Sequence, residues 1–129
     1  MLGCDEMDEV LFWLYLANIL TLIVHEIDSA YWHEWGLFYL PGGEAGFLLL
    51  HFPLLLPVLY GLVLVDRGAL AGLILSFLLC GGGLFAFSIH TFFIRRGHPE
   101  FRTPVSRGIL WATLLLSLAQ FGLTILFLV

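Results

Sequence analysis

The sequence predicts an all-α integral membrane bundle of four transmembrane helices, and three observations carry that expectation. Apolar residues make up 60% of the 129 and charged residues only 12%, whereas a soluble domain is about a quarter charged. The apolar residues fall into four continuous blocks, each close to or above the roughly 20 residues that cross the hydrocarbon core. Backbone polar groups meet no water there, so each block has to close its own hydrogen bonds as a helix. The blocks do not alternate with polar residues, which argues against a membrane barrel. The same inventory, with a net charge of −5 and no lysine, excludes a disordered chain, an ordinary cytoplasmic enzyme and a basic nucleic-acid-binding module.

Taken in order, the blocks place helices at about 10–35, 47–65, 69–94 and 107–129 in a single domain over 1–129. The first begins after an acidic stretch, Asp5, Glu6, Asp8 and Glu9. A secretory signal needs a positive first region and a small-residue cleavage site; neither is present, so the first block is expected to stay in the mature protein. It runs from Val10 to Ile27 and is extended by Tyr31, Trp32 and Trp35, aromatics of the kind that sit at membrane interfaces. The helix is expected to continue to about Gly36, before a short surface or re-entrant segment that Pro41-Gly42-Gly43 turns. The second block contains Pro53 and Pro57, which should bend or locally open that helix. In the third, Gly81-Gly82-Gly83 removes side chains where another backbone or a ligand could approach. Cys80 lies within this block and Cys4 in the polar tail, so a structural disulfide between them is not expected.

Orientation follows from arginine. Arg95, Arg96, Arg102 and Arg107 share the last connection, against Arg67 and the acidic N-terminus on the other side. The positive-inside tendency puts that connection in the cytoplasm and both termini outside, in what is expected to be a bacterial inner membrane. The arginines themselves are expected to contact anionic headgroups.

Four spans also bring the end of the first helix, the start of the second and the end of the third to one side. His25, His51 and His90 are then neighbours in depth, with Glu26, Asp28, His33, Glu34, Glu44, His98 and Glu100 on the same side. At 100° per residue, Asn18, Thr21, His25 and Asp28 fall within about 80° of one another, and Thr113, Ser117, Gln120 and Thr124 within about 60°. Ser76, Gly83 and His90 recur every seventh residue. Polar groups at membrane depth prefer a protein interior to lipid. These stripes are therefore expected to face inward and converge on the histidine layer.

Imidazoles and carboxylates from three helices are a donor set for zinc, iron or manganese. On this reading His25, His51 and His90 are the metal ligands, Asp28 is a fourth ligand or orients His25, and Glu26 is the catalytic general base beside a bound water. The tight spacings of known metal motifs are absent: there is no His-Glu-x-x-His, Glu-x-x-His or Cys-x-x-Cys. The cluster rests on topology instead. Haem, held axially by two of the histidines, is the second cofactor reading. The triple glycine lacks the strand and lysine of a phosphate-binding loop. A hydrogen-bonded polar network without any ligand accounts for the same residues.

The run His25-Glu26-Ile27-Asp28, followed by Tyr31-Trp32-His33-Glu34-Trp35 and by His51 and His90 on later helices, resembles small bacterial four-helix membrane proteins with a histidine and acidic residues at the end of the first helix. One such group is named for a histidine, two spacers and two glutamates; here Asp28 and Ser29 stand where the paired glutamates would be. The resemblance implies an integral membrane protein with a histidine and carboxylate site, and no activity.

Three functions compete at this point. The first is a metal-dependent enzyme acting on a lipid or other apolar substrate. The second is a structural or accessory subunit, whose polar network supplies packing specificity. The third is a small proton or ion transporter, for which four spans are few unless the chain forms a homodimer or larger complex. Membrane lipids are the expected partners, and nucleic acid is not.

Overall fold

The computed structural model describes residues 4–129, with the side chains of Cys4, Asp5 and Met7 left out; the expectation about Cys4 therefore lies outside the described residues. The described residues form five helices: α1 (Cys4–Tyr31), α2 (Glu34–Leu37), α3 (Gly43–Asp66), α4 (Leu70–Arg95) and α5 (Pro104–Leu126). Four of them are long and apolar enough to cross a membrane, and no strand occurs among the described residues. At about 1.5 Å per residue the shortest of the four reaches about 35 Å, more than the roughly 30 Å hydrocarbon core.

Three of the long helices, α1, α3 and α5, start three to six residues earlier than apolarity alone indicates, and α4 starts one residue later. The first turns of those three are polar or small and hide from an apolar count. In α5 the start is built by a cap: the Thr103 side chain accepts a hydrogen bond from the Ser106 amide at 3.1 Å, with Pro104 at the first helical position. The α3–α4 connection is a Schellman turn. Gly68 at φ 62° lets its own amide reach the Val65 carbonyl and the Ala69 amide reach Leu64, both at 2.9 Å. The α4 terminus repeats this with Gly97, whose amide meets Ile94 while that of His98 meets Phe93.

The first helix does not run on to residue 35 as expected. It ends at Tyr31 because His33 adopts a left-handed conformation, φ 53°, and the chain turns before α2. No glycine marks this break. After the single turn of α2, Tyr39 is again left-handed and the chain drops into the glycine turn before α3. Pro53 and Pro57 lie inside α3, which continues unbroken through both.

Around the bundle α1 packs on α3 and α5, and α4 on the same two; α1 and α4 meet more slightly across the diagonal. Leu11, Tyr15, Ile19, Val58, Val65 and Leu79 form the apolar centre. The Tyr15 hydroxyl donates to the Val58 carbonyl at 2.6 Å and ties α1 to α3. Leucines, phenylalanines and tryptophans such as Trp13, Leu49, Phe52, Leu56 and Trp111 are exposed on the outside, a surface suited to lipid. Between helices in lipid, association comes from packing and interhelical hydrogen bonds rather than from expulsion of water.

The polar stripes do face inward, but they split into two layers instead of converging on one. In the first, Asn18 Nδ2 donates to Gln120 Oε1 at 2.9 Å and to Ser117 Oγ at 3.2 Å, and Gln120 Nε2 donates to Ser76 Oγ at 2.8 Å. Ser76 and Thr124 share a further hydroxyl bond of 2.7 Å. All five side chains are fully buried, and together they lock α1, α4 and α5. The histidine layer lies seven residues further along α1, about 10 Å at the helical rise. Thr21 and Thr113, which fall between, donate to carbonyls of their own helices, Ala17 and Ile109.

Candidate functional site

Three helices and the α2 turn carry ionisable side chains to one cavity of about 540 Å³. His25 and Glu26 come from α1, Glu34 from α2, His51 from α3 and His90 from α4. The remaining walls are apolar, with Leu50, Leu54, Leu78 and Phe85 among them. These four side chains are themselves substantially exposed, so the cavity opens sideways onto the surface that faces lipid.

Two histidine–glutamate pairs are built on the same plan. His51 Nδ1 lies 2.6 Å from the Phe47 carbonyl, one turn back on its own helix, and Nε2 lies 2.7 Å from Glu26 Oε2. His90 Nδ1 lies 2.7 Å from the Ala86 carbonyl, again one turn back, and Nε2 lies 3.1 Å from Glu34 Oε1. A carbonyl oxygen can only accept, so both Nδ1 atoms carry a proton. Each pair then shares its remaining proton between Nε2 and a carboxylate. The Glu26–His51 bond is short and well formed. The Glu34–His90 contact is an ion-pair distance without hydrogen-bond alignment, and His90 Nε2 is left without a directed partner.

Glu34 is buried although it belongs to a connection. Burial alone would raise its carboxyl, but the contacts from His90 and Ser29 and the nearby charges of His90 and His25 outweigh it and hold the carboxyl below its ordinary range.

His25 stands apart. Its ring is 1% exposed, and Nδ1 is buried with no hydrogen-bond partner. It packs edge-on against His90 with ring centroids 4.7 Å apart. Phe101, left-handed at φ 62° in the α4–α5 connection and fully buried, folds over both rings, 4.2 Å from His90 and 6.0 Å from His25.

Of the residues singled out from sequence, His25, Glu26, His51 and His90 line this cavity and Asp28 does not. Asp28 Oδ1 accepts from Ser106 Oγ at 3.0 Å and from Trp32 Nε1 at 3.2 Å. A carboxylate there meets the first turn of α5, where an anion is favoured by the helix dipole. His25 and Asp28 are thus not bonded to each other but serve different neighbours. Among the described residues no group of three histidine, cysteine, aspartate or glutamate side chains is arranged to hold a metal ion. Phe101 is a site residue that the sequence pattern does not single out, and Glu34 is one that the pattern puts only on the same side of the membrane, without a role. Both are placed by left-handed residues in connections, for which helical periodicity carries no signal.

The arginine side is separate. Ser88, Thr91, Phe92, Arg95 and Arg96 line a groove of about 380 Å³, on the face of α4 opposite His90 by helical rotation. His33 meets Trp35 edge to face, and His98 lies 3.6 Å from Glu100 in the last connection.

A family model described as "Family of unknown function (DUF6713)" matches residues 11–127. The chain belongs to that family. No curated protein and no solved structure matches it. The matched range takes in all the residues that line the cavity.

Proposed function

We propose that this DUF6713 protein is a membrane-embedded acid–base enzyme acting on a lipid or other apolar molecule that enters from the bilayer. One observation carries the reading: ionisable pairs stand at the end of an apolar cavity open to the lipid side. Ionisable groups at such depth are expensive and are a functional signal by default. Glu26 acts as the general base, with His51 holding its carboxylate and taking up the shared proton. His25, whose Nδ1 is uncommitted, meets the polar part of the bound molecule. Glu34 and His90 form the second wall of the site and balance its charge. Arg95, Arg96, Arg102 and Arg107 lie toward the same end of the bundle and favour its placement in the cytoplasmic leaflet of a bacterial inner membrane, with both termini outside.

The test is untargeted lipid profiling of membranes carrying the wild-type chain or Glu26→Gln. One amphiphile class depleted or formed only by the wild type is the expected result; indistinguishable profiles refute the reading.

A metal-dependent version of this chemistry is the second reading. It is favoured by the posture of His51 and His90, each tied through Nδ1 to a carbonyl with Nε2 presented, as in metal-bound imidazoles. Zinc, iron or manganese would be held by Nε2 of these two rings together with His25, after the glutamates give way. Elemental analysis of the purified chain beside the His25→Ala, His51→Ala, His90→Ala triple variant decides it. Stoichiometric metal lost in the variant supports the ion, and a metal-free folded wild type leaves the acid–base mechanism.

A further inference from the structure

The cavity is selective in a way that the acid–base chemistry does not require. We infer that its ligand is a single-chain amphiphile with an uncharged hydroxyl or carbonyl head, taken up sideways from one leaflet. This rests on the reading that the cavity is the working site.

The head is deduced from charge. Glu26 and Glu34 stand at the polar end, and each already has an imidazole at 2.7 or 3.1 Å. A cationic head finds no free carboxylate. An anionic head meets two carboxylates and no arginine, since Arg95 and Arg96 serve the groove on the opposite face of α4. What is left for a ligand is the hydrogen-bonding capacity of His25 Nδ1 and His90 Nε2, which suits one neutral oxygen.

The tail is deduced from shape. From Leu78 to His90 the α4 wall runs twelve residues, about 18 Å at the helical rise. That is close to half of the roughly 30 Å hydrocarbon core, so a chain lying along it stays in one leaflet with its head at the interface. A volume of about 540 Å³ is within the usual small-molecule range of about 300–1,000 Å³ and does not enclose a two-chain phospholipid. Gly82 makes the space: it lines the cavity, and a Cβ built there meets nothing within 4 Å. Its neighbour Gly83 is the residue that helix packing requires, because a Cβ there would strike the Ser117 hydroxyl. The glycine run therefore divides its work between a contact and a vacancy for a ligand.

The experiment is photolabelling of the full chain in nanodiscs with diazirine–alkyne analogues of three probes: a monoacylglycerol, the matching fatty acid, and a diacyl phosphatidylcholine. The monoacylglycerol should label peptides within 47–58 and 78–90, and excess unlabelled monoacylglycerol should compete. Labelling should fall at least tenfold in Gly82→Phe, which fills the cavity, and in Leu54→Trp, which narrows it from α3. Equal labelling by the fatty acid or the phospholipid overturns the proposed class, as does full labelling in both folded variants. Glu26→Gln keeps the cavity and should still be labelled. Labelling without any wild-type lipid turnover would leave the ligand class standing and remove the enzyme, whereas turnover without cavity labelling would do the reverse.

Discussion

Replacing Gly83 by alanine tests how α4 and α5 approach each other. The added Cβ would collide with the Ser117 hydroxyl and lie 3.1 Å from Thr113 Cγ2. Overpacking of this kind costs about 1–3 kcal/mol, offset by up to about 1 kcal/mol because alanine favours the helix over glycine. The net loss expected is about 1–2 kcal/mol. Ser117→Ala removes the obstructing oxygen and gives up the bond from Asn18 Nδ2, which in a membrane interior is about 0.6 kcal/mol on average. In the double variant the remaining contacts are to Thr113 Cγ2 at 3.1 Å and Ser117 Cβ at 3.2 Å, which a shift of a few tenths of an ångström relieves. The pair should then cost about 1 kcal/mol less than the sum of the single variants. Reversible unfolding in mixed micelles, followed by circular dichroism, measures all four corners of the cycle. Additivity within about 0.3–0.5 kcal/mol, the behaviour of independent sites, would refute the close approach.

Two further outcomes follow from the polar layers. Gln120→Leu breaks the bonds to Asn18 and Ser76, yet Asn18 keeps Ser117 and Ser76 keeps Thr124; at membrane values the loss should be about 1 kcal/mol, and a loss above about 3 kcal/mol in the same unfolding assay would mean a buried group was orphaned. Glu34 has a depressed carboxyl pKa in the folded chain, so its contribution is complete above the unfolded value and is lost as pH falls through the folded one, from about pH 4.5 downward. Wild-type stability should drop over that acid window, and Glu34→Gln should flatten the drop; an unchanged pH profile would contradict the pairing with His90.

Much of the architecture is legible in the chain because the physics behind it is local. Each apolar block must be a helix in lipid, and four such helices force His25, His51 and His90 to one end. Glu26 is legible by the same route, being next to His25 near the end of its helix. What escapes is set by single backbone conformations and by helix rotation. His33 turns left-handed without a glycine to announce it, and that turn is what brings Glu34 back over His90. Asp28 is one turn from His25 and within about 60° of it on a helical wheel, yet this angle carries it across to Ser106. The polar stripes point inward as periodicity indicates, but a wheel projection discards depth, and depth separates the Asn18–Gln120 layer from the histidines.

The attachment of His51 and His90 to carbonyls of their own helices has a consequence for proton traffic. A histidine that conducts must accept at one ring nitrogen and release from the other, then reset by turning or exchanging tautomers. Here one nitrogen of each ring is moored to the backbone, and only Nε2 can load or unload. A proton that arrives from a glutamate has to depart by the same door. On the proposed acid–base reading these two rings are therefore reservoirs and not wires, able to lend a proton to a neighbour and take it back.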